Sequence, residues 1–357
     1  MSSGTRLDFS SDNVSGAAPE VLAALAAVND GPRQSYGADP HTAALERRAT
    51  ELFERPVRIL PVATGTAANA LALSLLARPY QAIYCHTIAH VMTDECGAPE
   101  FYSGGAKLLA LPSSDGRLLP QQLSEAVAFA RSMGVHHVQP AAVSISQATE
   151  WGTVYTVAEL DALTTAAHEL GLRVHMDGAR FANALVHLGC SPAEASWRRG
   201  IDVLSFGATK YGALAAEAVV LFDPAQAAEL ELRRKRSGHL WSKMRFLSVQ
   251  LNAYLADDLW LRHARHANSM AARLAAGLTP LPGVQLLQPV ETNELFVALP
   301  AAVAARLREQ GYEFYDWPAA PSIGGAVVRL VTSYDMQAAD VDGFVAAARR
   351  SGEAVRA

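Results

Sequence analysis

The chain has 357 residues, 30 Lys and Arg against 35 Asp and Glu, a formal charge of −5, and 50% hydrophobic residues. An apolar fraction this large excludes disordered and fibrous classes, and an acidic balance without a long basic run excludes a protein that lives on nucleic-acid phosphates. Length suggests about two domains. Cys85, Cys96 and Cys190 are too few and too far apart to staple the chain, which implies free thiols and a reducing, cytoplasmic setting. No apolar run approaches the roughly 20 residues of a membrane span. Residues 1–8 lack the apolar core of a signal peptide, so none is expected.

Residues 19–28 carry apolar side chains at helical spacing and end on Asn29-Asp30-Gly31-Pro32, and 41–54 read as a second amphipathic helix. The apolar run 58–62 predicts a strand leading through Thr64-Gly65-Thr66 into an alanine-rich helix, 67–76. Further strands are predicted at 81–85, 107–111, 141–145, 173–176, 203–206 and 218–222, with helices at 120–133 and 157–170 among them. Apolar strands separated by helices indicate a mainly parallel α/β sheet covered on both faces. After residue 222 the pattern changes to a charged helical region, 225–278, broken near Ser237-Gly238. Short strands at 284–287, 294–299 and 326–332 then surround a helix at 301–310. The division is a large α/β domain, 1–250, and a small C-terminal α+β domain, 251–357.

Three segments carry chemistry, and each follows a predicted strand. Asp177-Gly-Ala-Arg180 ends the strand at 173–176, and ligand groups of α/β sheets gather beyond the carboxyl ends of strands. A turn Asp paired with Arg180 would read the same way. Thr209-Lys210 lies among small residues at the next strand exit, a setting that suits a Schiff-base amine and equally a surface lysine. Thr64-Gly65-Thr66 opens a helix whose free N–H groups can hold a phosphate, although Thr is also an ordinary helix cap. Neither a dinucleotide fingerprint nor a P-loop is present.

Taken in order, a phosphate loop, an Asp and then a Lys resemble the fold-type-I pyridoxal-phosphate enzymes. Ser11-Asp12-Asn13, Tyr36-Gly37-Ala-Asp39-Pro40, Thr64-Gly65-Thr66, His90 with Glu95-Cys-Gly-Ala-Pro, Asp177-Gly-Ala-Arg180 and Thr209-Lys210 occur in one order. This set resembles the L-threonine aldolases of the β-eliminating lyase group, and 96–109 resembles the branch that includes phenylserine aldolases. The resemblance implies a fold-type-I, transferase-like α/β fold and reversible cleavage of L-threonine, L-allo-threonine or L-phenylserine to glycine and an aldehyde. It also implies a cofactor, pyridoxal 5'-phosphate, and a homodimer or homotetramer with shared sites. By the same resemblance Lys210 carries the cofactor aldehyde, Asp177 meets its ring nitrogen and His90 stacks on the ring. Gly65 and Thr66 hold the phosphate, Thr209 and Arg180 also bind the cofactor, and Ser11, Tyr36, Arg180 and Arg329 meet the substrate, the arginines at its carboxylate.

One segment departs from the family. Where many threonine aldolases carry a second histidine, Ser146-Gln-Ala-Thr149-Glu150-Trp151-Gly offers Glu150, so His90, Glu150 or a water is left as the base for the β-hydroxyl proton. His86 and His90 have i, i+4 spacing, but no third ligand is evident and no metal is expected. Arg233–Arg236 reads as a solvated helix face, whereas Lys243 or Arg245 is expected to reach a neighbouring subunit's phosphate. The alternatives are another pyridoxal reaction (β-elimination, racemisation or transamination) and a non-catalytic cofactor-binding module.

Overall fold

The computed structural model describes residues 7–318 and 323–356, and residues 1–6, where no leader is expected, lie outside it. Seven strands build the large sheet: β1 (Arg58–Val62), β2 (Gln81–His86), β3 (Lys107–Leu111), β4 (Gln139–Ser146), β5 (Arg173–Gly178), β6 (Val203–Gly207) and β7 (Glu217–Leu221). Their spatial order is β1-β7-β6-β5-β4-β2-β3. The run from β6 to β3 is parallel, and β7 alone runs against both of its neighbours. Every residue of β6 and β7 is buried, as expected of strands covered on both faces.

Helices begin where their caps dictate. Asp39 accepts the N–H groups of His41 and Thr42 at 3.0 and 2.9 Å, with Pro40 as the first helical residue of Pro40–Leu52. Thr156 and Glu159 form a reciprocal capping box at the start of Val157–Glu169. Near the site, β5 and β6 approach so closely that only glycine fits. A Cβ on Gly178 would stand 2.6 Å from the Ser205 carbonyl oxygen, and one on Gly207 would stand 2.8 Å from that of Ala179.

The charged helical region has two breaks where the sequence suggested one. It forms Ala227–Arg236, Arg245–Leu255 and Leu259–Leu278, and the second break falls where Asp257 and Asp258 take φ of 50° and 54°. Aspartate tolerates this left-handed backbone better than most residues. A second sheet, β8 (Gln285–Leu286), β9 (Glu294–Leu299), β10 (Tyr315–Asp316) and β11 (Ala326–Val331), is antiparallel in the order β10-β11-β9-β8. Leu251, Tyr254, Trp260 and Ala264 pack into the core of the large sheet, whereas Ala271, Leu274 and Leu278 pack with the small one. Among the described residues no helix is long and apolar enough to cross a membrane.

Candidate active site

β1 and β6 both run against β7, so the carboxyl ends of β1, β6, β5, β4 and β2 all open on one side of the sheet. Each delivers a segment singled out above. β1 leads to Thr64–Thr66, β2 to His90, β4 to Glu150, β5 to Asp177 and Arg180, and β6 to Thr209 and Lys210.

Asp177 is 7% exposed and accepts hydrogen bonds from the Asn69 amide at 2.7 Å and the Ala179 N–H at 2.9 Å. Burial pushes its carboxyl up, but His90, the Ala179 N–H, His175 and Asn69 together hold it below the usual carboxylate range. Asn69 also donates to Glu95 Oε1 at 2.7 Å, and the same oxygen meets His90 Nδ1 at 2.9 Å. A buried chain therefore runs from Asp177 through Asn69 and Glu95 to the imidazole. The hydrogen bond that its ring makes to Glu95 raises the His90 pKa against the effect of burial. Glu95 itself is raised, chiefly by burial.

Glu150 Oε1 accepts the Ser146 hydroxyl at 2.6 Å and the His90 N–H at 2.8 Å, while Oε2 is buried without a partner. Burial pushes this carboxyl up to about 7. At the mouth of β1, Thr64 caps helix Gly65–Leu76 by accepting the Ala67 N–H at 3.1 Å. The Gly65 and Thr66 N–H groups stand in the first turn, where a helix has no partner of its own to offer. Apart from its chain neighbours and its own helix backbone, no atom of the described residues lies within 4 Å of where a Gly65 Cβ would be.

Arg180 is more committed than a simple clamp. Nε and Nη2 donate to Asp12 at 2.9 and 3.1 Å, and Nη1 meets Glu294 Oε2 at 3.1 Å. A guanidinium has five N–H donors and two are spent on Asp12, so three remain for Glu294 and a ligand. Against the upward push of burial, Arg180 and Lys210 hold Asp12 below its ordinary value. Arg329 Nη1 lies 3.9 Å from the other Glu294 oxygen, Nη2 donates to the Ser10 carbonyl at 3.1 Å, and Nε is buried without a partner. Its guanidinium sits 5.3 Å from the Tyr315 ring and 5.2 Å from the Trp317 ring, which hold its plane.

Other expected residues lie apart from this network. Ser11 accepts the Asn13 N–H at 3.1 Å and so caps the turn that delivers Asp12 to Arg180. Tyr36 is 50% exposed, with the Lys235 ammonium 4.6 Å over its ring. Arg245 lies over Phe246, with its Nε buried and unpartnered. His86 ends β2 and accepts the Ser113 N–H at 2.9 Å, whereas His90 opens a separate helix, so the pair shares no helical face. Among the described residues no group of three or more His, Cys, Asp and Glu could hold a metal ion.

Sequence reading assigned no role to Asn69, Glu95, Asp12 or Glu294. Asn69 had a signal, a lone amide in the otherwise apolar helical run Ala67–Leu73. Glu294 had a weaker one, a single acid opening an apolar strand.

Comparison with known proteins agrees with this geometry. Residues 8–302 match the family described as Beta-eliminating lyase. A low specificity L-threonine aldolase of Pseudomonas sp. (strain NCIMB 10558) is 45% identical over 333 residues, 93% of this chain and 94% of that protein. Its counterpart in Pseudomonas aeruginosa is 45% identical over 327 residues, 92% of each chain. The solved threonine aldolase of Leishmania major superposes with a TM-score of 0.90 at 32% identity, covering 97% of this chain and 100% of that one. A serine palmitoyltransferase of Sphingomonas wittichii, 16% identical with a TM-score of 0.72 over 98% of this chain and 88% of its own, shares the fold. With a match that spans most of its length and relatives this similar, the chain belongs to the beta-eliminating lyase family.

Proposed function

We propose that this protein is a pyridoxal-phosphate-dependent aldolase that reversibly splits L-β-hydroxy-α-amino acids into glycine and an aldehyde, with L-threonine, L-allo-threonine and L-phenylserine as candidate substrates. The observation that carries this reading is the hydrogen-bonded chain Asp177–Asn69–Glu95–His90, buried as far as its part-exposed imidazole, at the end of the sheet from which the Lys210 turn also leaves.

The residues present fit the cofactor. A carboxylate held ionised below the sheet mouth, as Asp177 is, suits a protonated pyridine nitrogen. The open space before Gly65 and the free N–H groups of the first helical turn suit a phosphate. Lys210 would hold the aldehyde carbon, Asp177 the ring nitrogen, His90 the ring face, and Gly65, Thr66 and Thr209 the phosphate. What the cofactor supplies when bound is a sink for the electron pair left on the α-carbon.

The chain's own residues do the rest. Arg180 and Arg329 bind the substrate carboxylate through their remaining N–H donors and orient the bond to be broken. Glu150 takes the β-hydroxyl proton on Oε2. Its other oxygen is pinned by Ser146 and the His90 backbone, and a carboxyl that titrates near 7 is poised for proton transfer at neutral pH. Glu95 keeps the His90 ring in place and favours its protonated form.

The same reading divides the chain into a cofactor-binding part, 1–250, and a small C-terminal part, 251–357, and places the protein in the cytoplasm. It makes the protein a homodimer or homotetramer in which Lys243 or Arg245 reaches the neighbouring subunit's phosphate. Tyr36, Leu232 and Trp241, at 50%, 73% and 41% exposure, support a covered surface there. Light scattering of the purified protein tests the assembly, and a monomer would end that part of the reading.

The deciding experiment measures aldehyde and glycine from the three substrates with pyridoxal phosphate, beside Lys210→Ala. Equal amounts of both products, lost in the variant, support the aldolase. Ammonia and a keto acid instead would move the assignment to another reaction of the family.

A further inference from the structure

Glu217 is a buried acid that the proposed chemistry leaves without a task. It opens β7, stands in register with Gly207 of β6 and Val62 of β1, and is 7% exposed. Both neighbours matter, because Gly207 precedes the Lys210 turn and Val62 precedes the Thr64–Thr66 loop. Oε1 accepts the Thr209 N–H at 3.2 Å, and the Thr209 hydroxyl lies 3.4 Å from the Ala216 carbonyl and 3.3 Å from the Ala216 N–H. The start of β7 thus grips the residue next to Lys210 from both sides.

A carboxyl in so dry a place is costly unless a charge answers it. The positive charge of Lys210 favours the ionised carboxylate, while the negative charge of Asp177 opposes it. Tyr211 and Tyr254 also lie within its field. If the acid served only to hold the turn, a neutral amide would accept the Thr209 N–H equally well.

We propose that Glu217 is the positioning residue of Lys210, its carboxylate fixing the Thr209–Lys210 turn and serving as the counter-charge of the nitrogen at Lys210. This rests on the cofactor reading above. Burial pushes Glu217 up to about 7, so the counter-charge is complete only in mildly alkaline solution. The charge that Glu217 presents toward the Lys210 turn therefore changes with pH through its own ionisation.

The test is a pH titration of the visible absorbance of holoenzyme, which reports protonation of the nitrogen that joins Lys210 to the cofactor, for wild type and Glu217→Gln. Removing the carboxylate should lower the midpoint by about one pH unit, a tenfold loss of proton affinity, with the cofactor-free protein melting within a few degrees of wild type. A midpoint equal to wild type would overturn the inference and leave Glu217 a scaffold residue. Should the amide fail to fold, Glu217→Met, which buries no unpaired polar group, carries the same titration. Failure of both to fold would also overturn it, since the role would then be stability. A wild-type protein that takes up no chromophore would sink the cofactor reading, and this inference with it.

Discussion

The side-chain amide of Asn69 donates to Asp177 Oδ2 at 2.7 Å from one turn inside the helix that opens at Gly65, and so ties that helix to the carboxylate at the end of β5. The same amide serves Glu95 at 2.7 Å, so one neutral donor is shared by two buried acids. Asn69→Ala should cost about 1–3 kcal/mol of stability, the penalty of buried acceptors left unpaired. It should also weaken cofactor binding at least several-fold. Chemical denaturation and cofactor titration check both, and wild-type cofactor affinity in the variant would refute the tie.

Glu150 must be ionised to accept a proton, so activity should rise with pH through about 7, the value to which burial pushes this carboxyl. Glu150→Gln should remove that rising limb and lower kcat by about 10² to 10⁴, the usual worth of a general base. Stability moves the other way. The folded pKa of about 7 lies above the ordinary 4.5, so ionising Glu150 costs folding energy as pH rises from 4.5 to 7. Glu150→Gln should therefore match wild type near pH 4.5 and exceed it at pH 8, by on the order of 3 kcal/mol. Melting curves at the two pH values decide, and a gap that does not widen with pH counts against a buried ionised Glu150.

Arg329 presents a plane held by Tyr315 and Trp317, which a lysine cannot reproduce. Arg329→Lys should raise KM for the amino acid nearly as much as Arg329→Ala, at least tenfold, with the cofactor spectrum unchanged. A lysine variant with near-normal KM would remove Arg329 from the carboxylate site.

Gly178 follows Asp177 where β5 and β6 touch, and a Cβ there would meet backbone oxygen at 2.6 Å. Gly178→Ala should destabilise by about 3 kcal/mol or more and displace Asp177. Both a lower melting temperature and weaker cofactor binding are expected. A variant that melts like wild type would show that the strands can part without cost.

Most of the large sheet was legible because its strands are apolar runs bounded by turn signals. β1 and β3 fall on the residues expected, and β5 extends two residues past its predicted end because Asp177 and Gly178 continue the ladder with β6. Residues 315–316 have no apolar pattern and become β10 only by pairing with β11, a contact no local signal reveals. The site divides in the same way. Lys210, Asp177 and His90 stood out because their chemistry is written in local motifs. The partnership of Arg180 with Asp12 and Glu294 depends on segments from three parts of the chain, and sequence spacing says nothing about it.

That partnership also bears on when the protein becomes competent during synthesis. Arg180 finds one anchor 168 residues behind it, in a segment already made, and the other in β9, close to the end of the chain. Arg329 arrives later still, on β11. A nascent chain can complete β1 to β7, with Asp177, Arg180 and Lys210 all made, while Glu294 and Arg329 are still to come. The Arg180 guanidinium is thus held by Asp12 alone until β9 is made, and its full set of anchors is completed only with the C-terminal sheet.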